Sequence, residues 1–432
     1  MNKVLYIILI SCFSLTIISC SEDKEESTTT STTSTTVSST SPSDSDTSVA
    51  VTSSISVTFS EAMVPSSITV NSVNNCLSGT LLVSSDDFST CVLMAAVPSA
   101  SNSNKTFSVT PSSSLSDGTT YKIRVSTGVS SISGKTLSSQ YETTNGFTTK
   151  FPSYVAVGGS GKIHTSTDVI TWTERTSGTN YSLNGITYGN STFLVVGGSG
   201  DSNGVILTSS DGVTWSAQSK SGSNHVYRAT AFGNSTFIIV GRNGKILKSS
   251  DGSNWTDVSI SSRDLLGITY GNMFVTVSEL SKLYTSSGGS TWTTVSISSG
   301  GGGDYHYYGV AFGNNTYVAV GSSGKIFSSS DGSTWTSRTS GITRTLNDIT
   351  YGNSIFVTVG SGGKILTSSD GSSWTERTSG TSNDLGSVTY GDEKFIVAKS
   401  MGSGLITSPD GITWTSLDIS VSDIDDMIYV SK

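Results

Sequence analysis

Seven tryptophans stand at matching places in near-copies of one phrase, and this repetition constrains the fold of the 432-residue chain more than any other feature. They are Trp172, Trp215, Trp255, Trp292, Trp335, Trp374 and Trp414, separated by steps of 43, 40, 37, 43, 39 and 40 residues. The copy "GNSIFVTVGSGGKILTSSDGSSWTERTSG", from Gly352, shows the pattern. Each unit holds four short segments of apolar–polar alternation, such as "DITYG", "IFVTVG", "KILTSS" and "WTERT", broken by Gly-Asn-Ser, Ser-Gly-Gly and Asp-Gly. Alternation marks half-buried strands, and the breakers supply the positive φ that tight hairpins require. Four antiparallel strands in a unit of about 40 residues describe a propeller blade. The repeat opens on a second strand, "YVAVGG", and closes on "SDIDDMIYVSK", in which Ile424 to Val430 align with the first strand Leu183 to Gly189. A ring closed by strand exchange uses both fragments and removes exposed edges, whereas an open solenoid has no use for them. The reading is a seven-bladed β-propeller over residues 151–432, closed by the C-terminal strand.

Composition agrees with an all-β chain: Gly numbers 46, Pro 6, and only 13% of residues are charged. A net charge of -8 excludes a nucleic-acid partner, which needs a basic face to displace phosphate counterions. Upstream, Lys3 precedes an apolar run, Val4 to Ser19, too short for a persuasive membrane span. The run ends in Ile17-Ile18-Ser19-Cys20, which resembles the lipobox of bacterial lipoproteins. The resemblance implies a signal peptide over 1–19, acylation of Cys20 and a lipid-anchored place in the cell envelope, at the outer membrane or cell surface. Residues 20–47, rich in Ser and Thr, bury too little apolar surface to offset chain entropy and read as a disordered stalk.

Residues 48–150 alternate again, through Ile55, Val57 and Phe59 and through "KTFSVTPSSSLSDGTTYKIRVS". Short strands at this spacing suggest a sandwich. The phrases "ISVTFSEAM", "LSDGTTYKIRV" and "FTT" resemble the SbsA-type bacterial Ig-like domain of surface-layer proteins, which implies a spacer or adhesive module. The fold class is thus all-β, an N-terminal Ig-like β-sandwich followed by the propeller. Cys76 and Cys91 remain after the signal segment, and a disulfide between them is expected outside the cytoplasm. Closing that loop stabilises by about 3 kcal/mol.

The recurrent "SSDGxxW" resembles the Asp-box of BNR-type propellers, found in sialidases and in photosystem assembly factors of the Ycf48 type. One residue between Asp and Trp is missing relative to that pattern, and Val169 and Gly288 break two copies. Asp211, Asp251, Asp331, Asp370 and Asp410 are read as turn-holding rather than as metal ligands, because each lies alone on its own unit.

Function is sought where the repetition stops. The column Leu183, Tyr227, Leu265, Tyr307, Leu346, Leu385, Ile424 stays apolar and is expected to pack. The columns on either side vary in size and charge, and period-two alternation places both on the opposite face, at the mouth of the central channel. Candidate ligand-binding residues from these columns and the longest mouth loop, "SISSGGGGDYHYYG", are Asn184, Arg228, Asp264, Tyr305, His306, Tyr308, Asn347, Asp384, Asp423 and Asp425. Tyrosines suit stacking on sugar faces or anchoring a protein partner. Asp423, Asp425 and Asp426 form an acidic cluster, read as solvated rather than as a cation site. His164, His225 and His306 lack triad or metal-ligand spacing. Arg228, Arg263 and Arg344 lie near the mouth, as the three carboxylate-binding arginines of sialidases would, but without that family's arginine motif. The expectation is a monomeric, non-catalytic binding head for glycan or protein, without cofactor or metal. The alternatives are an extracytoplasmic assembly factor for envelope proteins and a sialidase-like glycoside hydrolase.

Overall fold

A computed structural model describes residues 34–71, 73–200, 203–219, 225–261, 263–297, 305–400 and 403–431. The expected signal peptide, Cys20, the first part of the stalk and the glycine run of the longest mouth loop lie outside the described residues.

The Ig-like unit is a sandwich of two sheets. One runs Val37–Ser41, Ile55–Phe59, Thr106–Val109, Ser99–Ser101; the other runs Leu81–Ser84, Thr120–Val125, Tyr141–Glu142, with Phe147–Thr148 also on Thr120–Val125. Alternate residues of both sheets, among them Val57, Phe59, Phe107, Val83, Ile123 and Phe147, share one buried core. Cys76 and Cys91 are disulfide-bonded. The domain begins earlier than its composition suggested. Val37–Ser41 pairs antiparallel with Ile55–Phe59, and Thr35, 1% exposed, donates its hydroxyl to Glu61. Part of the stretch read as stalk is therefore an edge strand. Main-chain pairing holds it there, with few apolar side chains required, so composition could not reveal it.

From Tyr154 onward the described residues form seven four-stranded antiparallel sheets. Six are continuous in sequence, with inner strands Leu183–Gly189, Tyr227–Gly233, Leu265–Tyr270, Tyr307–Gly313, Leu346–Gly352 and Leu385–Gly391. The first blade comprises Tyr154–Gly158, Ile163–Ser166 and Trp172–Arg175, and takes its inner strand, Ile424–Tyr429, from the C-terminus. Inner strands touch in succession around the axis, and Ile424–Tyr429 touches Leu183–Gly189, which completes the ring. The repeated aromatic–Gly pair explains how neighbours fit. A Cβ on Gly352 would lie 2.0 Å from the Tyr390 ring of the next blade, and one on Gly391 would lie 1.9 Å from the Tyr429 ring. Each glycine thus opens the slot that the following blade's aromatic ring fills.

Candidate functional site

All seven members of the packing column are buried, from Leu183 at 0% exposure to Ile424 at 4%. The next residue is a β-bulge in every blade. Pairing steps from Leu183↔Gly197 to Gly185↔Val196, which leaves Asn184 without a partner across the ladder. The same slip isolates Arg228, Leu266, Tyr308, Asn347, Gly386 and Asp425. A bulge re-aims its side chain. Here all seven bulged residues line one central cavity of about 430 Å³.

The residue preceding the packing column has another task. Its carbonyl accepts an N–H from the residue just past its own blade's second strand, as in Gly159 to Asp423, Glu279 to Asp264, Ser322 to His306 and Ser400 to Asp384. At Asp264, Asp384 and Asp423 the side chain makes polar contacts of its own. The Asp264 carboxylate accepts the Asn243 N–H at 3.0 Å and lies 3.7 Å from Arg242. Asp384 accepts the Gly362 N–H at 2.7 Å, and Asp423 pairs with Lys162 at 2.7 Å. The Tyr305 ring faces the Lys325 ammonium at 4.6 Å, and His306 lies 3.7 Å from Glu279. The expectation of one shared face for both flanking columns is corrected, because the bulge breaks the period-two rule that it used. Asp264 and Asp384 hold rim turns and Tyr305, His306 and Asp423 make side-chain contacts outside the cavity lining, whereas Asn184, Arg228, Tyr308, Asn347 and Asp425 face the channel.

Channel electrostatics centre on Arg228. Burial and the charge of Arg242 weaken its hold on the proton, while Asp264, Glu279 and Asp425 oppose them. Among the described residues its Nε is buried without a hydrogen-bond partner. Burial pushes the Asp425 carboxyl up to about 6, and the Asp423 charge acts in the same direction. Tyr308, 37% exposed, stacks on His306 with ring centroids 6.3 Å apart, and burial with the Glu279 charge raises its phenol. The amides of Asn184 and Asn347 donate to the Tyr227 and Leu385 carbonyls of the next blades at 2.7 and 2.8 Å. Arg263 and Arg344 are exposed and do not line the channel, so the three arginines are not brought together.

Two channel residues escaped the sequence reading as sites. Asp348 and Asp426 occupy a column that otherwise reads Gly185, Ala229, Gly267, Gly309 and Ser387. Asp348 accepts N–H groups of Ile349 and of Val388 on the next blade, each at 2.8 Å. Asp426 accepts those of Met427 at 2.8 Å and of Ile186 on the next blade at 2.9 Å. Burial pushes Asp348 up to about 6 and, with the Asp348 charge adding, Asp426 up to about 7. Carboxylates in a column of the smallest residues were the available signal.

The box aspartates hold turns. Asp331, for example, accepts the N–H groups of Ser333 and Thr334 at 2.8 and 2.7 Å and the Ser329 hydroxyl at 2.9 Å. Among the described residues no group of three His, Cys, Asp or Glu is placed to hold a metal ion.

Comparison with known proteins finds the same two kinds of domain. Residues 31–149 match the family model of the bacterial Ig-like domain, and residues 182–299 match that of the DUF6242 beta propeller domain. No curated protein matches the chain. Similar solved structures include YCF48 from Cyanidioschyzon merolae, at 19% identity and a TM-score of 0.43, covering 55% of this chain and 86% of that one. The WD40 beta propeller domain of Doa1 is 16% identical with a TM-score of 0.44, covering 57% and 85%. The RRP9 WD40 repeats are 10% identical with a TM-score of 0.47, covering 64% and 89%.

Proposed function

We propose that the propeller is a non-catalytic binding head whose ligand, a glycan or a protein, is held at the opening of the central channel. The observation that carries this reading is the seven-fold bulge. It delivers to one cavity the column in which the repeat is most varied, supplying a cation, an anion, two amides, a tyrosine and a leucine. A position maintained only for the scaffold would keep the repeated residue, as the packing column does. Among the described residues the Nε of Arg228 is an unused donor, and the half-exposed Tyr308 lines the same cavity. Residues 34–432 are screened on a glycan array and against extracts of the cell envelope, beside Arg228→Ala and Tyr308→Ala. Binding that falls at least about tenfold in either variant supports the channel; capture unaffected by both refutes it.

A further inference from the structure

The seam where the ring closes departs from the repeat more than any other junction between blades. The outer strand of the seventh blade, Thr415–Ser422, has 8 residues, against 2 to 4 in the other blades. Its pairing jumps from Leu405↔Leu417 to Ser403↔Ser422, so residues 418–421 arch out of the ladder towards the first blade. Together with the first blade they enclose a groove of about 530 Å³. Its apolar walls include Trp172, Ile170 and Ile419, and Ile170 is 64% exposed.

The charges in this groove also depart from the repeat. In the third and sixth blades, the acidic residue two places after the tryptophan pairs with the lysine at the start of the third strand. These pairs are Asp257 with Lys245 and Glu376 with Lys364, each at 2.5 Å. In the first blade the corresponding residues are Glu174 and Lys162. Lys162 is drawn away by Asp423 of the closing segment, at 2.7 Å. Glu174 is left in the groove without a cation among the described residues, and Asp418 on the arch is likewise without one. The groove therefore joins apolar walls to two carboxylates that pair with no Lys or Arg among the described residues; His164, opposite Glu174 in the ladder, also lines it, and burial favours its neutral form.

We propose that this seam groove is a second binding site, for a lysine or arginine side chain presented by a peptide segment of a partner protein. A long basic side chain matches both properties at once. Its methylene stem packs on Trp172, Ile170 and Ile419, and its charged head lies between Glu174 and Asp418. A neutral or acidic occupant would leave both carboxylates uncompensated. The site is independent of the channel, and its closure-strand origin means that it exists once in the ring, not seven times.

The test titrates full-length protein into a dye-labelled, end-capped pentapeptide with one lysine between two leucines, followed by fluorescence anisotropy. A second peptide has norleucine in place of the lysine. The lysine peptide is expected to bind at least about tenfold more tightly than the norleucine peptide and to weaken as salt is added. Glu174→Gln combined with Asp418→Asn is expected to lose at least about tenfold, with Arg228→Ala unchanged. Both carboxylates are solvent-exposed, so the double variant keeps its fold, and an unchanged melting temperature verifies this. Equal binding of the two peptides, an unaffected double variant, or no binding of the lysine peptide overturns the site.

Discussion

Val169 shows how a single residue reveals which part of a repeat is scaffold. It stands where six other units carry glycine, and it holds φ 71° against 71–76° for those glycines. A β-branched residue there costs about 1–2 kcal/mol. The side chain is nevertheless 2% exposed and packs with Ile396 and Ala398 across the seam, a burial worth about 1.5–3 kcal/mol. The two contributions nearly offset each other, so Val169→Gly is expected to change stability by no more than about 1 kcal/mol. At Gly371 a Cβ would meet Val318 Cγ2 at 2.9 Å, so Gly371→Val adds overpacking of about 1–3 kcal/mol to the same backbone cost. Urea denaturation of both variants distinguishes the sites; equal effects would refute the packing argument. The residue pattern alone showed that Val169 breaks the repeat but not that a neighbouring blade had made room for it.

The bulged inner strand is the element that turns a varied column into the lining of the channel. Asn184, Arg228, Tyr308, Asn347 and Asp425 were legible as candidates because their column varies, yet their direction was not. Alternation placed them with Asp264, Asp384 and Asp423, and only the one-residue slip in each ladder separates the two sets. The same strands predict a pH response. Asp348, Asp425 and Asp426 are pushed up to about 6, 6 and 7 in the folded ring, whereas an unfolded aspartate titrates near about 3.9. The folded state therefore holds protons that the unfolded chain has released. Their stabilising contribution is complete below about pH 4 and is lost as pH rises through about 6 to 7. Turn aspartates act oppositely: Asp331, lowered to about 2 by backbone N–H groups, loses its contribution as pH falls from about 4 to about 2. The melting temperature is expected to peak at about pH 4 and to fall as pH rises towards about 7. Asp348→Asn with Asp426→Asn should flatten the alkaline limb; an unchanged limb would reject these carboxyls as its source.

At the scale of the whole molecule, closure and the join between domains matter most. The first blade has no inner strand of its own and takes Ile424–Tyr429, whose Tyr429 ring fills the slot at Gly391. Removing residues 423–432 exposes the edge of Tyr154–Gly158 and empties that slot, so cooperative unfolding should be lost and the protein should associate through the open edge. Light scattering and a thermal melt check this; a monomer with an unchanged transition would show that the ring does not depend on exchange. The join is tight. Arg175 repeats as Arg338 and Arg377, and each donates its Nε to a third-strand hydroxyl at 2.8 Å. Arg175 also pairs with Asp117 of the Ig-like domain, with both side chains nearly buried. One arginine of the repeat thereby also pairs with the Ig-like domain.

Period, strand count, the Cys76–Cys91 pair and the fragments that close the ring were legible in the amino-acid order, because they arise from local alternation, turn chemistry and self-similarity along the chain. The early start of the Ig-like domain was not, since an edge strand can form by backbone pairing from residues whose composition suggests a tether. Nor could local order show which variable column enters the channel, that Asp348 and Asp426 reach the backbone of adjoining blades, or that Asp423 takes Lys162 from Glu174. Those features depend on ladder register and on contacts between blades far apart in sequence. Such contacts exist only once the ring has closed and each residue has acquired a neighbour that the linear chain does not specify.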